Sequence, residues 1–254
     1  MNREERIMAH VWKHYEHAKE HYGEENILGV FLYGSQNYNC DLEDSDIDTK
    51  CILISDLYHL ALHPYKTNHL HIYWEDREDP EVCECMTIQH MVANWKKQNP
   101  NFLEIMFTQY AAINPMYYDE WVNFLIKENY RDLIARYDVR GGVLSIAHQA
   151  INTIRQDPMN GKKIGNGLRL MLLLKQYINN CFYEDCLSCP YAEQVRKLKS
   201  GETPVLNTDA GKLLECLDQF IENADVYPGP CRELDTPLDN FMLNLLKIRL
   251  SLDE

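Results

Sequence analysis

The sequence has no apolar run long enough to cross a bilayer, and no basic segment followed by an apolar one stands at its start. A chain with neither is expected to work away from the membrane. Internal repeats and low-complexity tracts are also missing, which argues against solenoids and linker-like tails. Positive charge is scarce: 25 Lys and Arg stand against 39 Asp and Glu, a formal net charge of -14. The overall field therefore repels polyanions, and a nucleic-acid partner would need a local basic patch. The nine cysteines are odd in number and scattered, so a reduced, cytoplasmic setting is the expectation. Cys181, Cys186 and Cys189 offer one close pair and a third thiol, with Cys231 a distant fourth. Structural zinc wants four ligands, commonly two close pairs, so buried or free thiols are expected instead.

What is present is an ordinary globular composition, 45% hydrophobic over 254 residues, enough for one large domain or two modest ones. Residues 4–22 place Ile7, Val11, Tyr15, Ala18 and Tyr22 at three- and four-residue steps, which predicts a helix with one buried stripe, ended by Gly23. Four strands are expected at 27–33, 47–54, 69–74 and 82–88, and from about residue 87 the helical period takes over and strands vanish. Six long helical segments follow, among them 121–137 and 165–182. This order predicts an α+β fold, a small mixed sheet flanked by helices and then an all-helical lobe. The joint is placed near residue 115, giving a core over 1–115 and a helical domain over 116–254.

Chemistry concentrates in Phe31–Ile54, "FLYGSQNYNCDLEDSDIDTKCILI". An apolar strand ends on Gly34 and Ser35, and ten residues later Asp46 and Asp48 open the next strand. Side chains two apart on a strand share a face, so the two carboxylates repel one another unless a cation lies between them. Mg²⁺ or Mn²⁺ suits two aspartates that leave positions open for substrate phosphates. A glycine at Gly34 lets a ligand approach the backbone, the following amides can hold phosphate oxygens, and the Ser35 hydroxyl adds a donor. Together these residues predict a site that grips a nucleoside triphosphate. Asp41, Glu43 and Asp44 read as a solvated loop.

"LYGS" followed by "DSDID" resembles the signature of the polymerase-β-type nucleotidyltransferase superfamily. "NPNFLEIMF" (99–107), "GNGLRLMLLLKQY" and "VRKLKSGETP" are similar to a bacterial and phage group of predicted nucleotidyltransferases that includes RNA-ligase-associated members. Thr49 departs from the pattern, where an apolar residue is usual. The resemblance implies a nucleotidyltransferase core and two metal ions on the Asp pair. It implies transfer of a nucleoside monophosphate to an acceptor hydroxyl, with pyrophosphate leaving. It also implies a third carboxylate, for which Glu81 and Glu84 are the candidates. Glu84 is preferred as a metal ligand, because a carboxylate mid-strand between Cys83 and Cys85 needs a cation nearby. Glu81 reads as solvated at the strand's edge, and Asp76 and Asp79 lie further from any strand centre.

Lys162, Lys163 and Arg169 form the most suggestive basic group of the helical half. Lys163 and Arg169 are expected to bind the triphosphate, although Arg169 could equally pair with an acidic neighbour. His10, His14, His17 and His21 make a stripe along the first helix, more ordinarily a helix flank than a metal site. No residue selects the acceptor among an RNA or tRNA end, a small molecule and a protein hydroxyl. The alternative function is a non-catalytic nucleotide-binding regulator or toxin–antitoxin-like module, which would lack a competent third acid.

Overall fold

A computed structural model describes residues 2–43, 45–62, 66–74, 80–179 and 182–252. Helix α1 (Arg3–Tyr22) starts at an Asn2 cap that exchanges hydrogen bonds with Glu5, and stops where Gly23 takes a φ of 84°. Strands β1 (Ile27–Leu32) and β2 (Thr49–Leu53) follow, then helix α2 (Leu57–Ala61), β3 (Asn68–Ile72) and β4 (Glu81–Thr87). Helices α3 (Ile88–Lys96) and α4 (Pro100–Leu103) lead to a short fifth strand, β5 (Ala111–Ile113). The five strands form one mixed sheet in the order β3-β4-β2-β1-β5, with β2 and β4 parallel and the other pairs antiparallel.

The remainder is helical: α5 (Pro115–Val122), α6 (Tyr130–Ile134), α7 (Val139–Gln156), α8 (Gly161–Asn179), α9 (Ala192–Ser200), α10 (Asn207–Glu222) and α11 (Asp235–Leu250). The α+β expectation holds at this level. Two details differ. β5 lies beyond residue 87, where no strand was expected, because three residues are too few to show an alternation. The single helix expected over 121–137 is broken by a π turn at Asn123–Lys127 and by Asn129, whose φ is 56°.

Alternation along the strands divides the sheet between two packings. On one face Val30, Leu32, Cys51, Leu53, Cys83 and Cys85 meet the Ile7, Val11, Tyr15, Ala18 stripe of α1. On the other, Leu28, Phe31, Ile52 and Met86 join a core that takes in Trp95, Trp121, Ile154, Leu174 and Phe241 from the helical half. That core runs across residue 115. Arg249 of α11 also reaches back to donate from Nε to Asn26 Oδ1 at 2.7 Å, just ahead of β1. Helices α7 and α8 approach closely at glycines: a Cβ on Gly167 would stand 2.4 Å from Ile154 Cγ1, and one on Gly142 2.5 Å from the Tyr177 hydroxyl.

Candidate functional site

At the end of β1 the chain turns through Gly34, whose φ of 97° favours glycine, into a 3₁₀ turn at Ser35–Tyr38. Two hydrogen bonds bring the Asp46–Asp48 segment alongside. Tyr33 N–H donates to the Asp48 carbonyl at 3.2 Å, and the amide of buried Gln36 donates to the Asp46 carbonyl. Of the loop between, Asp41 is fastened where a solvated residue is expected. Asp41 is buried, and Arg3 donates to both its oxygens, at 3.2 and 2.6 Å, while also holding the Gln36 carbonyl at 2.8 Å. Glu43 is exposed, and Asp44 lies outside the described residues.

A cleft of about 510 Å³ opens over this edge of the sheet. Tyr33, Gly34, Ser35, Asp46 and Asp48 line its sheet side; Lys162, Lys163 and Arg169 from the first half of α8, with Lys199 from α9, line the other. The residues expected to act on a triphosphate, Glu84 excepted, therefore share one cavity. Lys199 is the addition: it lies in "VRKLKSGETP", a segment in which the sequence alone singles out no site residue. Its ammonium donates to the Cys40 carbonyl at 2.7 Å, and burial pulls its pKa down, as do the charges of Arg169 and Lys162. A second cavity, of about 570 Å³ between the π turn and α11, shares no lining residue with the cleft.

The electrostatics are those of an anion-and-cation site. Burial pushes the Asp48 carboxyl above its usual range, with Asp46 and Glu81 pushing the same way and His14 and Lys50 opposing. A divalent cation between the aspartates relieves the repulsion, and two carboxylates plus phosphate oxygens and water make a suitable set for Mg²⁺. Among the described residues no group of three or more His, Cys, Asp or Glu is gathered to hold a metal. Arg169 is only 8% exposed, lies with its guanidinium 4.3 Å from the Tyr38 ring centre, and has no hydrogen-bond partner at Nε. It makes no ion pair with a described residue. A buried charged donor left unpaired costs about 1–3 kcal/mol or more, which an anion in the cleft would recover.

Glu104, from the "NPNFLEIMF" segment, braces the turn from below. It is 1% exposed, and its carboxylate accepts from Gly34 N–H at 3.2 Å and from the Asn37 amide at 3.0 Å. Burial raises its pKa to about 6 from an ordinary 4.5, against the pull of Arg169 and these hydrogen bonds. The folded chain thus holds this proton more tightly than the unfolded one. Stability from Glu104 is complete below pH about 4.5 and falls by about 2 kcal/mol as pH rises through 6. Glu104→Gln should remove that slope, read as the pH dependence of Tm between 4.5 and 7.

The third-carboxylate candidates are both otherwise engaged. Glu84 shares a sheet face with Lys50, its register partner across the parallel β2–β4 pair, and the two side chains form an ion pair. The cation that a mid-strand carboxylate demands is this buried ammonium, which also sits 4.0 Å from the Tyr33 ring centre. Glu84 does not line the cleft. Glu81 is fully buried instead of solvated, on the α1 face, with His10 and His14 beside it. Those two histidines therefore point inward, while His17 and His21 stay at the surface near His71. Thr49 is buried with its hydroxyl 2.7 Å from His14 Nδ1, which accounts for a polar residue where an apolar one is usual. Asp76, Asp79 and Cys181 lie outside the described residues; Cys186, Cys189 and Cys231 are free thiols. Among the described residues no helix is long and apolar enough to cross a membrane.

The chain matches no protein-family model and no curated protein.

Proposed function

We propose that the chain is a metal-dependent nucleotidyltransferase, moving a nucleoside monophosphate from a triphosphate to an acceptor hydroxyl with release of pyrophosphate. The observation that carries this reading is the shared cleft, in which the Asp46–Asp48 pair and the Gly34–Ser35 turn face Lys162, Lys163, Arg169 and Lys199. Two carboxylates across from four cations suit a ligand that is itself polyanionic and brings a divalent cation. In this arrangement the four cations neutralise the triphosphate and the Ser35 hydroxyl donates to a phosphate oxygen. Asp46 and Asp48 would hold the divalent cation that the triphosphate brings. Mg²⁺ or Mn²⁺, when bound, supplies charge neutralisation and lowers the pKa of the attacking hydroxyl. The acceptor oxygen bonds to the α-phosphorus as the bond to pyrophosphate breaks, and the hydroxyl proton passes to solvent. No covalent enzyme intermediate is needed, so the protein contributes position and charge.

A non-catalytic nucleotide-binding module is the second reading, and one observation favours it: Lys50 already neutralises Glu84. Incubation with each α-labelled triphosphate, Mg²⁺ and cell extract separates the two. The enzyme reading expects label on an acceptor, an RNA end, a small molecule or a protein, with one pyrophosphate released per label. A triphosphate-dependent rise in Tm without pyrophosphate supports the binding module. No rise in Tm with any triphosphate overturns both.

A further inference from the structure

We propose that Glu81 is a positioning residue for the metal site: from the far face of the sheet it fixes, through the Ile47 N–H, the segment that carries Asp46 and Asp48. The inference rests on the nucleotidyltransferase reading and assigns Glu81 a place in it that is not that of a metal ligand.

Regular pairing of β2 with β4 begins at Thr49 opposite Cys83, so Ile47 lies ahead of the ladder and its N–H has no strand partner. A buried amide without an acceptor is costly, and here the acceptor is Glu81 Oε1 at 3.1 Å. The other oxygen, Oε2, gathers three donors: His10 Nδ1 at 2.7 Å, Trp74 Nε1 at 2.9 Å and His14 Nε2 at 3.2 Å. Glu81 is 0% exposed, as is Ile47. Burial pushes the Glu81 carboxyl up, yet the hydrogen bonds of the two histidines hold it well below the usual carboxylate range. The carboxylate is thus ionised, acceptor-only, and pinned from α1.

The geometry links this anchor to the cleft. Ile47 is the residue between the two aspartates, and its side chain packs into the α1-side core while theirs line the cleft. Rotation of the peptide at Ile47 would turn both carboxylates away from a common cation. The histidines thus hold Glu81, and Glu81 holds the Asp46–Asp48 backbone. Outer partners of this kind commonly matter about 10- to 100-fold in metal affinity.

The test is Mn²⁺ binding, followed by electron paramagnetic resonance with a nonhydrolysable triphosphate present, beside metal-free binding of the same triphosphate. Glu81→Gln brings an amide NH₂ into a ring of donors, so one of them loses its acceptor. We expect Mn²⁺ affinity to fall about tenfold or more, with metal-free triphosphate affinity within about twofold of wild type. Glu81→Asp keeps the charge but shortens the reach by about 1.5 Å. It should give the same pattern, and it serves where the Gln variant does not fold. A folded variant with wild-type Mn²⁺ affinity overturns the inference. So does an equal loss of both affinities, which would make Glu81 a residue of general stability. A wild-type chain that binds no Mn²⁺ overturns the nucleotidyltransferase reading itself, and this inference with it.

Discussion

A chain carrying Asp46→Asn with Asp48→Asn should release no measurable pyrophosphate, a loss of at least about 10³-fold that corresponds to about 4 kcal/mol of transition-state stabilisation. The reason is charge. With amides in place of carboxylates no described residue on the sheet side of the cleft carries a negative charge to attract a divalent cation, while the lysines and Arg169 opposite remain to attract a triphosphate. Metal-free triphosphate binding should therefore survive, and Mn²⁺ binding should not. The double variant should melt no lower than wild type above neutral pH. Asp48 has a raised pKa from burial and from Asp46 and Glu81; its ionisation costs stability as pH rises, and an amide removes that cost. Pyrophosphate release continuing at more than a few per cent of wild type would place the chemistry elsewhere.

Arg169→Met should raise the dissociation constant for a nonhydrolysable triphosphate by about 10- to 100-fold, the loss of about 1.5–3 kcal/mol expected for hydrogen bonds to a charged group. Methionine keeps the apolar stem beside Tyr38 and discards the guanidinium, whose Nε has no hydrogen-bond partner within the protein. Removing a buried donor that nothing satisfies costs the fold little, so Tm below pH about 6, where Glu104 is protonated, should stay near wild type even as affinity falls. Lysine is not an equivalent replacement, since a point charge lacks the planar fork and the stacking surface. A further consequence distinguishes this from simple disruption. Arg169 pulls the Glu104 pKa down, so its loss moves that titration upward and extends the pH-dependent fall in stability to higher pH. Unchanged triphosphate affinity in Arg169→Met would remove the helical wall from the binding site.

The legible part of this molecule is the part written in local period. The α1 stripe, the first four strands and the spacing of Gly34–Ser35 from Asp46 and Asp48 are all within one element of each other. Which of their side chains share a face follows from a period of 3.6 or 2. What could not be read depends on register and facing. Lys50 and Glu84 are both plain in the sequence, but nothing local says that β2 and β4 run parallel with those two residues opposite. His10 and His14 are visible as an i, i+4 pair, yet their partner lies 71 and 67 residues away at Glu81. Arg3 and Asp41, 38 apart, escaped for the same reason. β5 is too short to announce itself, and exists as a strand because Gly29–Phe31 offer it a free edge.

The apolar core described above, continuous from Leu28 and Phe31 of the sheet to Leu174 and Phe241 of the helices, has a mechanical consequence. A jaw needs a hinge, and two plates bolted by interdigitated side chains have none, since packing this dense resists sliding. The gap between the aspartates and the lysines is therefore set by the packing of the fold itself. A ligand of this cleft would meet the aperture as built, and any adjustment to it would fall to the side chains at the rim.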